Sequence, residues 1–150
     1  MNLFEKWKFG RFIKNLSISK IDSLNGQEFE EFIADYFCYL GFKTSLTPTS
    51  GDNGIDVIAK NKHISIGIQA KLYYNHNVGN KAIQEVFSGK NYYQLTHALV
   101  ITNWTFSKPA LTLANSLKVL TIDRNKLSHL LKQSRQENKK YIKTLLQNIK

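Results

Sequence analysis

Between Asn25 and Leu40, apolar residues return every three or four positions (Phe29, Phe32, Ile33, Tyr36, Phe37, Leu40), which is the spacing of one helix face, and Gly41 follows as a C-terminal stop. The period then changes to two. Lys43 to Thr47 reads as a short strand, Pro48 to Gly54 as a loop, and Ile55 to Lys60 as a second strand. After a turn at Asn61 and Lys62, Ile64, Ile66, Ile68 and Ala70 alternate with Ser65, Gly67, Gln69 and Lys71. This third strand therefore has one apolar and one polar face, and it should close a hairpin with the second.

Further along, Tyr73 to Val78 forms a polar, aromatic loop, and Gly79 to Gln94 reads as a helix with Ile83, Val86, Phe87 and Tyr93 inward. Ala98 to Thr102 is an apolar run of the kind found in buried strands. Ser107 caps a helix running to Leu117, and Val119 to Ile122 supplies another strand. Lys126 to Leu131 begins a helix, and after a polar interval Tyr141, Ile142, Leu145, Leu146 and Ile149 continue an amphipathic pattern. At the other end, Phe4, Trp7, Phe12 and Leu16 suggest a helix with lysines opposite, weakened by Gly10. Strands followed by helices alternating with strands imply an α/β fold, a mixed sheet flanked by helices. There is no internal repeat.

With 150 residues and 42% hydrophobic positions, the chain suits one domain and is not disordered throughout. It carries 21 Lys and Arg against 11 Asp and Glu, a net charge of +10, which points to a polyanionic partner: nucleic acid or an anionic membrane surface. The excess sits at the ends. Lys6, Lys8, Arg11, Lys14 and Lys20 face only Glu5 in residues 1–20, and Lys132, Arg135, Lys139, Lys140, Lys143 and Lys150 face only Glu137 in residues 132–150, while the middle is nearly neutral. The single cysteine, Cys38, excludes an intrachain disulfide and a cysteine zinc cluster and fits a reducing cytoplasm. No apolar stretch is long enough for a membrane span or a signal-peptide core, so a cytoplasmic protein away from the membrane is expected.

The most specific chemistry lies in Gly51-Asp52-Asn53-Gly54-Ile55-Asp56-Val57-Ile58 and Ile68-Gln69-Ala70-Lys71. Gln69 and Lys71, two apart, project from one strand face, and Asp56 opens the neighbouring strand, so the three polar groups converge. An Asp carboxylate and a Gln carbonyl are oxygen ligands suited to Mg²⁺, which is commonly held by one or two carboxylates plus water and substrate phosphate. A lone Gln-x-Lys is common on exposed strands; the Gly-Ile-Asp upstream is what makes it informative. Asp52 sits where Asp usually forms turns and is a secondary candidate. His63, His76, His97 and His129 share no metal-ligand spacing, and Cys38 reads as a small buried side chain. The loop Tyr73-Tyr74-Asn75-His76 suits either an approach to DNA or packing on its own protein.

This arrangement resembles the PD-(D/E)XK nuclease superfamily and, within it, the Mrr-like restriction endonuclease family, with Gln in place of the usual Glu of the third motif. Gly26-Gln27-Glu28-Phe29-Glu30-Glu31-Phe32 looks like the family's first helix, Leu40-Gly41-Phe42 like its end, and Val78-Gly79 like the start of the next helix. Val100-Ile101-Thr102 and Phe106-Ser107 through Ala110 resemble the later strand and helix start. The likeness implies a restriction-endonuclease-like mixed β-sheet core flanked by helices over residues 24–131, between a basic N-terminal helical extension (1–23) and a basic amphipathic C-terminal helix (132–150). It implies a Mg²⁺- or Mn²⁺-dependent DNA endonuclease in which Asp56 and Gln69 are metal ligands, Lys71 orients or helps deprotonate the attacking water, and Glu30 completes the site. Glu30 falls on the inward side of its helix, three and seven residues before Ile33 and Phe37, although Glu28 and Glu31 stand beside it. Gln for Glu removes a negative charge, so metal should bind more weakly than in an all-carboxylate site unless Glu30 or Asp52 contributes. Cutting both strands of a duplex with one site per chain suggests a homodimer. A Holliday-junction or repair nuclease and a catalytically inactive DNA-binding module stay open, with a membrane-surface protein behind them.

Overall fold

The computed structural model of the protein describes residues 1–48, 51 and 53–149. Its elements run α1 (Leu3–Lys14), α2 (Ile18–Asp22), α3 (Gly26–Leu40), β1 (Lys43–Leu46), β2 (Val57–Lys60), β3 (Ser65–Lys71), α4 (Asn80–Tyr92), β4 (His97–Thr102), α5 (Lys108–Leu117), β5 (Leu120–Ile122), α6 (Arg124–Lys132) and α7 (Arg135–Gln147). The strands form one mixed sheet in the order β1-β2-β3-β4-β5. β1, β2 and β3 are antiparallel neighbours, whereas β3-β4 and β4-β5 are parallel pairs joined through α4 and α5. The α/β mixed sheet flanked by helices is thus the observed architecture.

Local chemistry sets the element ends. The Asn25 side chain accepts from the Glu28 N–H while Glu28 accepts from the Asn25 N–H, a capping box, and Gly41 ends α3 at a φ of 109°. In the β2-β3 turn the Asn61 side-chain oxygen accepts from the N–H groups of His63 and Ile64.

Alternation divides the sheet between two cores. Val57, Ala59, Ile66, Ile68, Leu99, Ile101, Leu120 and Ile122 face the layer that holds α3, α6 and α7. Ala98 and Val100 face α4 and α5 through Ala82, Ile83, Val86, Ala110 and Ala114, with Ile55 and Val119 filling in. Burial of each large aliphatic side chain stabilises the fold by about 1.5–3 kcal/mol.

Both basic ends pack onto the first core: Ile13, Ile21, Ile142 and Leu146 are buried in it. The N-terminal stripe is corrected. Phe4, Trp7 and Phe12 are 61%, 56% and 52% exposed, and the inward face of α1 passes instead through Phe9, Gly10 and Ile13. Gly10 explains the choice, because a Cβ there would stand 3.0 Å from the Tyr39 hydroxyl, and Phe9 packs on the Phe32 and Tyr39 rings. The C-terminal pattern is two helices, because a further capping box between Ser134 and Glu137 starts α7 afresh. Cys38 is half-buried. Among the described residues no helix is long and apolar enough to cross a membrane.

One polar network fixes the ends of β3 and β4. Arg124 donates to both carboxylate oxygens of Asp22 at 2.7 and 2.9 Å and to the Asn103 carbonyl at 3.0 Å. The fully buried Asn103 side chain donates to Asp22 and to the Tyr73 carbonyl and accepts from the Tyr73 N–H. The chain just beyond Lys71 is thereby tied to α2 and α6.

Candidate active site

The loop before β2 lies flat against α4, and two glycines permit it. Gly54 has a φ of 79°, and a Cβ there would stand 2.5 Å from the Glu85 carbonyl oxygen. Gly89, on the same helix, has no room for a Cβ because the Asn53 carbonyl occupies the place. The glycine of Gly54-Ile55-Asp56 is therefore the imprint of a loop seated on a helix. From there the Asp56 N–H donates to the Ile68 carbonyl at 2.8 Å, and the Thr47 hydroxyl bonds the Ile55 and Asp56 carbonyls.

β2 pairs with β3 from Val57, opposite Ile68, so among the described residues the β3 edge beyond that point has no ladder partner on this side. The Asp56 carboxylate takes the place of one, accepting from the Ala70 N–H at 2.7 Å. Asp56 is thus held at the residue between Gln69 and Lys71. Gln69 is buried, 3% exposed, and its Nε2 donates to Glu85 Oε2 at 3.0 Å. Its Oε1 is buried without a hydrogen-bond partner among the described residues. Lys71 Nζ stands 3.8 Å from Glu85 Oε2, and Lys81 Nζ stands 3.7 Å from Glu85 Oε1. Asp56, Gln69, Lys71 and Glu85 line one open cavity of about 450 Å³ with Asn53, Gly54, Ser88 and Tyr92.

Of the residues read from the sequence, Asp56, Gln69 and Lys71 come together. Glu30 is half-buried on α3, in the layer covering the other face of the sheet, and is not in that cavity lining. Its end of α3 nonetheless lies at the same end of the sheet: the Tyr74 hydroxyl, three residues past Lys71, donates to the Leu24 carbonyl at 3.3 Å. Asp52 falls outside the described residues. In the aromatic loop, Tyr73 packs on the His76 ring while Tyr74 is 61% exposed. His97 bonds the Leu146 carbonyl and holds α7.

Glu85 was not legible as a site residue. With Lys81, Ser88 and Tyr92 it forms a polar stripe at helical spacing, which in a sequence signals the solvent side of a helix. Only the fold turns part of that stripe toward a strand.

Among the described residues no three His, Cys, Asp or Glu side chains gather into a metal centre. The oxygen donors nonetheless suit a hard divalent cation. A buried amide oxygen without a partner costs free energy unless something else satisfies it, and Gln69, whose Oε1 has none among the described residues, lines the cavity together with Asp56, a carboxylate residue.

A family model described as restriction endonuclease (Mrr_cat) matches residues 21–131, most of the chain. The chain belongs to the Mrr-like restriction endonuclease family of the PD-(D/E)XK superfamily. No curated protein matches it. Among solved structures, the DNA modification-dependent restriction endonuclease AspBHI is 16% identical with a TM-score of 0.59, over 99% of this chain and 40% of that one. The MspJI restriction endonuclease in complex with a 27-mer oligonucleotide is 17% identical with a TM-score of 0.50, over 97% and 33%. A protein of unknown function, AF1548, is 20% identical with a TM-score of 0.57, over 66% and 58%. At these identities the likeness is one of fold, and the chain spans less than two thirds of each of these proteins. The family match begins slightly earlier than residue 24 and takes in the end of α2, where Asp22 anchors the network at the ends of β3 and β4.

Proposed function

We propose that the protein is a metal-dependent DNA endonuclease of the Mrr-like restriction type, hydrolysing phosphodiester bonds with Mg²⁺ or Mn²⁺. The observation that carries this reading is that Asp56, Gln69 and Lys71 line one cavity, with the Gln69 carbonyl oxygen buried and without a partner among the described residues. Asp56 and Gln69 would hold the cation, with Glu30 as a further oxygen ligand from α3. Glu30 is supported by its half-burial and by the position of its helix end. A divalent cation bound there lowers the pKa of its water and offsets the charge on the phosphoryl oxygens. Lys71 presents its ammonium at the same cavity, where it stabilises negative charge on the scissile phosphate and orients the attacking water. The Asp56 bond to the Ala70 N–H fixes the carboxylate before substrate arrives, so little reorganisation is needed during the reaction. One such site cuts one strand, and duplex cleavage is assigned to a homodimer.

The test is incubation of supercoiled plasmid with Mg²⁺ or Mn²⁺. Wild type nicks it, and chelation with EDTA stops the reaction. Asp56→Ala and Lys71→Ala each slow nicking by about 10²–10³-fold. Binding by all three proteins with nicking by none would leave a DNA-binding module and overturn the proposal. Comparing base-modified with unmodified plasmid reads the substrate class, and linear product together with the sedimentation mass reads the dimer.

A further inference from the structure

An Asp-Gln-Lys site has one carboxylate fewer than the Asp-Glu-Lys pattern, and a glutamine amide presents either an oxygen or an NH₂ group depending on which way it is turned. Something has to make both choices. Glu85 approaches Gln69 from α4, and a carboxylate only accepts hydrogen bonds, so the amide NH₂ must face it, at 3.0 Å. The carbonyl oxygen is then left on the other side of the amide, buried and without a partner among the described residues, on a residue that lines the cavity with Asp56. With the amide reversed, oxygen would oppose oxygen at Glu85 and an NH₂ group would face the cation. The same Glu85 oxygen lies 3.8 Å from Lys71 Nζ, so one carboxylate contacts two of the three motif side chains.

Resting on the nuclease reading above, we infer that Glu85 is a positioning residue that turns the Gln69 carbonyl toward the cation, and that it supplies from the helix the negative charge missing from the strand. Glu85 is itself held. The Gly54 loop lies against its backbone, and Lys81 pairs with its second carboxylate oxygen at 3.7 Å. Removing an outer partner of this kind lowers metal affinity by about 10–100-fold.

The experiment measures Mn²⁺ affinity by calorimetry and plasmid nicking for wild type, Glu85→Gln, and the exchange variant Gln69→Glu/Glu85→Gln. Glu85 is partly exposed, and circular dichroism with thermal melts confirms that each variant folds. In Glu85→Gln the two amides are free to turn together and one negative charge is lost, so Mn²⁺ affinity and nicking both fall by about tenfold or more. In the exchange variant the carboxylate moves to the strand and the NH₂ group to the helix, which restores the bond, the oxygen facing the cation and the net charge. Mn²⁺ affinity then recovers to at least the wild-type level, because the strand now carries a carboxylate ligand. A purely structural role for Glu85 predicts wild-type Mn²⁺ affinity in the folded single variant. Wild-type Mn²⁺ affinity in folded Glu85→Gln, or an exchange variant as weak as the single one, overturns the positioning role and leaves the nuclease reading intact. A wild type that neither binds Mn²⁺ nor nicks overturns both.

Discussion

At the scale of single residues, the site depends on side chains far from it in sequence. The Asp22-Arg124 pair and Asn103 hold Tyr73, two residues beyond Lys71, and so fix where β3 ends. The hydrogen-bonded Arg124 guanidinium lowers the Asp22 carboxyl below its usual value near 3.8. A carboxyl whose native pKa is depressed contributes stability that is fully present above the unfolded value and is lost as pH falls through the native one. Wild type should therefore lose stability more steeply below about pH 4 than Asp22→Asn does. At neutral pH Asp22→Asn should cost about 1–3 kcal/mol, because Arg124 loses a charged partner in a half-buried setting. Urea titrations of both proteins at pH 7 and pH 3 measure both effects.

At the scale of elements, the decisive contact is the loop before β2 lying on α4. Gly54→Ala should cost about 2–4 kcal/mol, combining a left-handed backbone with a Cβ driven into the Glu85 carbonyl. Gly41→Ala is the control. Its φ of 109° carries a backbone penalty too, but nothing lies within 4 Å of the added Cβ, so about 1–2 kcal/mol is expected. Equal losses in denaturant melts would mean that the close approach contributes nothing. The helix caps behave more independently: Ser134→Ala should cost about 1 kcal/mol through α7 alone and leave Mn²⁺ affinity unchanged.

At the scale of the molecule, the basic C-terminal helix is remote from the candidate chemistry. Lys139, Lys140 and Lys143 line a separate cavity with Asn61 and Ile64, at the start of β3, whereas Gln69 and Lys71 stand near its end. That spacing is roughly 20 Å along the strand. At 0.1 M salt the Debye length is about 10 Å, so these lysines barely alter the potential at the cavity. Replacing all three with Ala should leave the single-turnover nicking rate at saturating protein within about twofold, with any loss confined to affinity for the duplex. A large fall in that rate in a folded variant would place the DNA path across α7.

The sequence by itself determined every feature set by neighbours along the chain. The α3 face and its Gly41 stop, the alternation that makes β3 two-sided, and the Asp56, Gln69 and Lys71 motif all follow from period, capping and spacing. Two things waited for the tertiary structure. The inward face of α1 was decided by Gly10 against Tyr39, and the place of Glu85 by the packing of α4 beneath the sheet. Each depends on which surface meets which, and a polar stripe has the same local pattern whether it faces water or a buried amide.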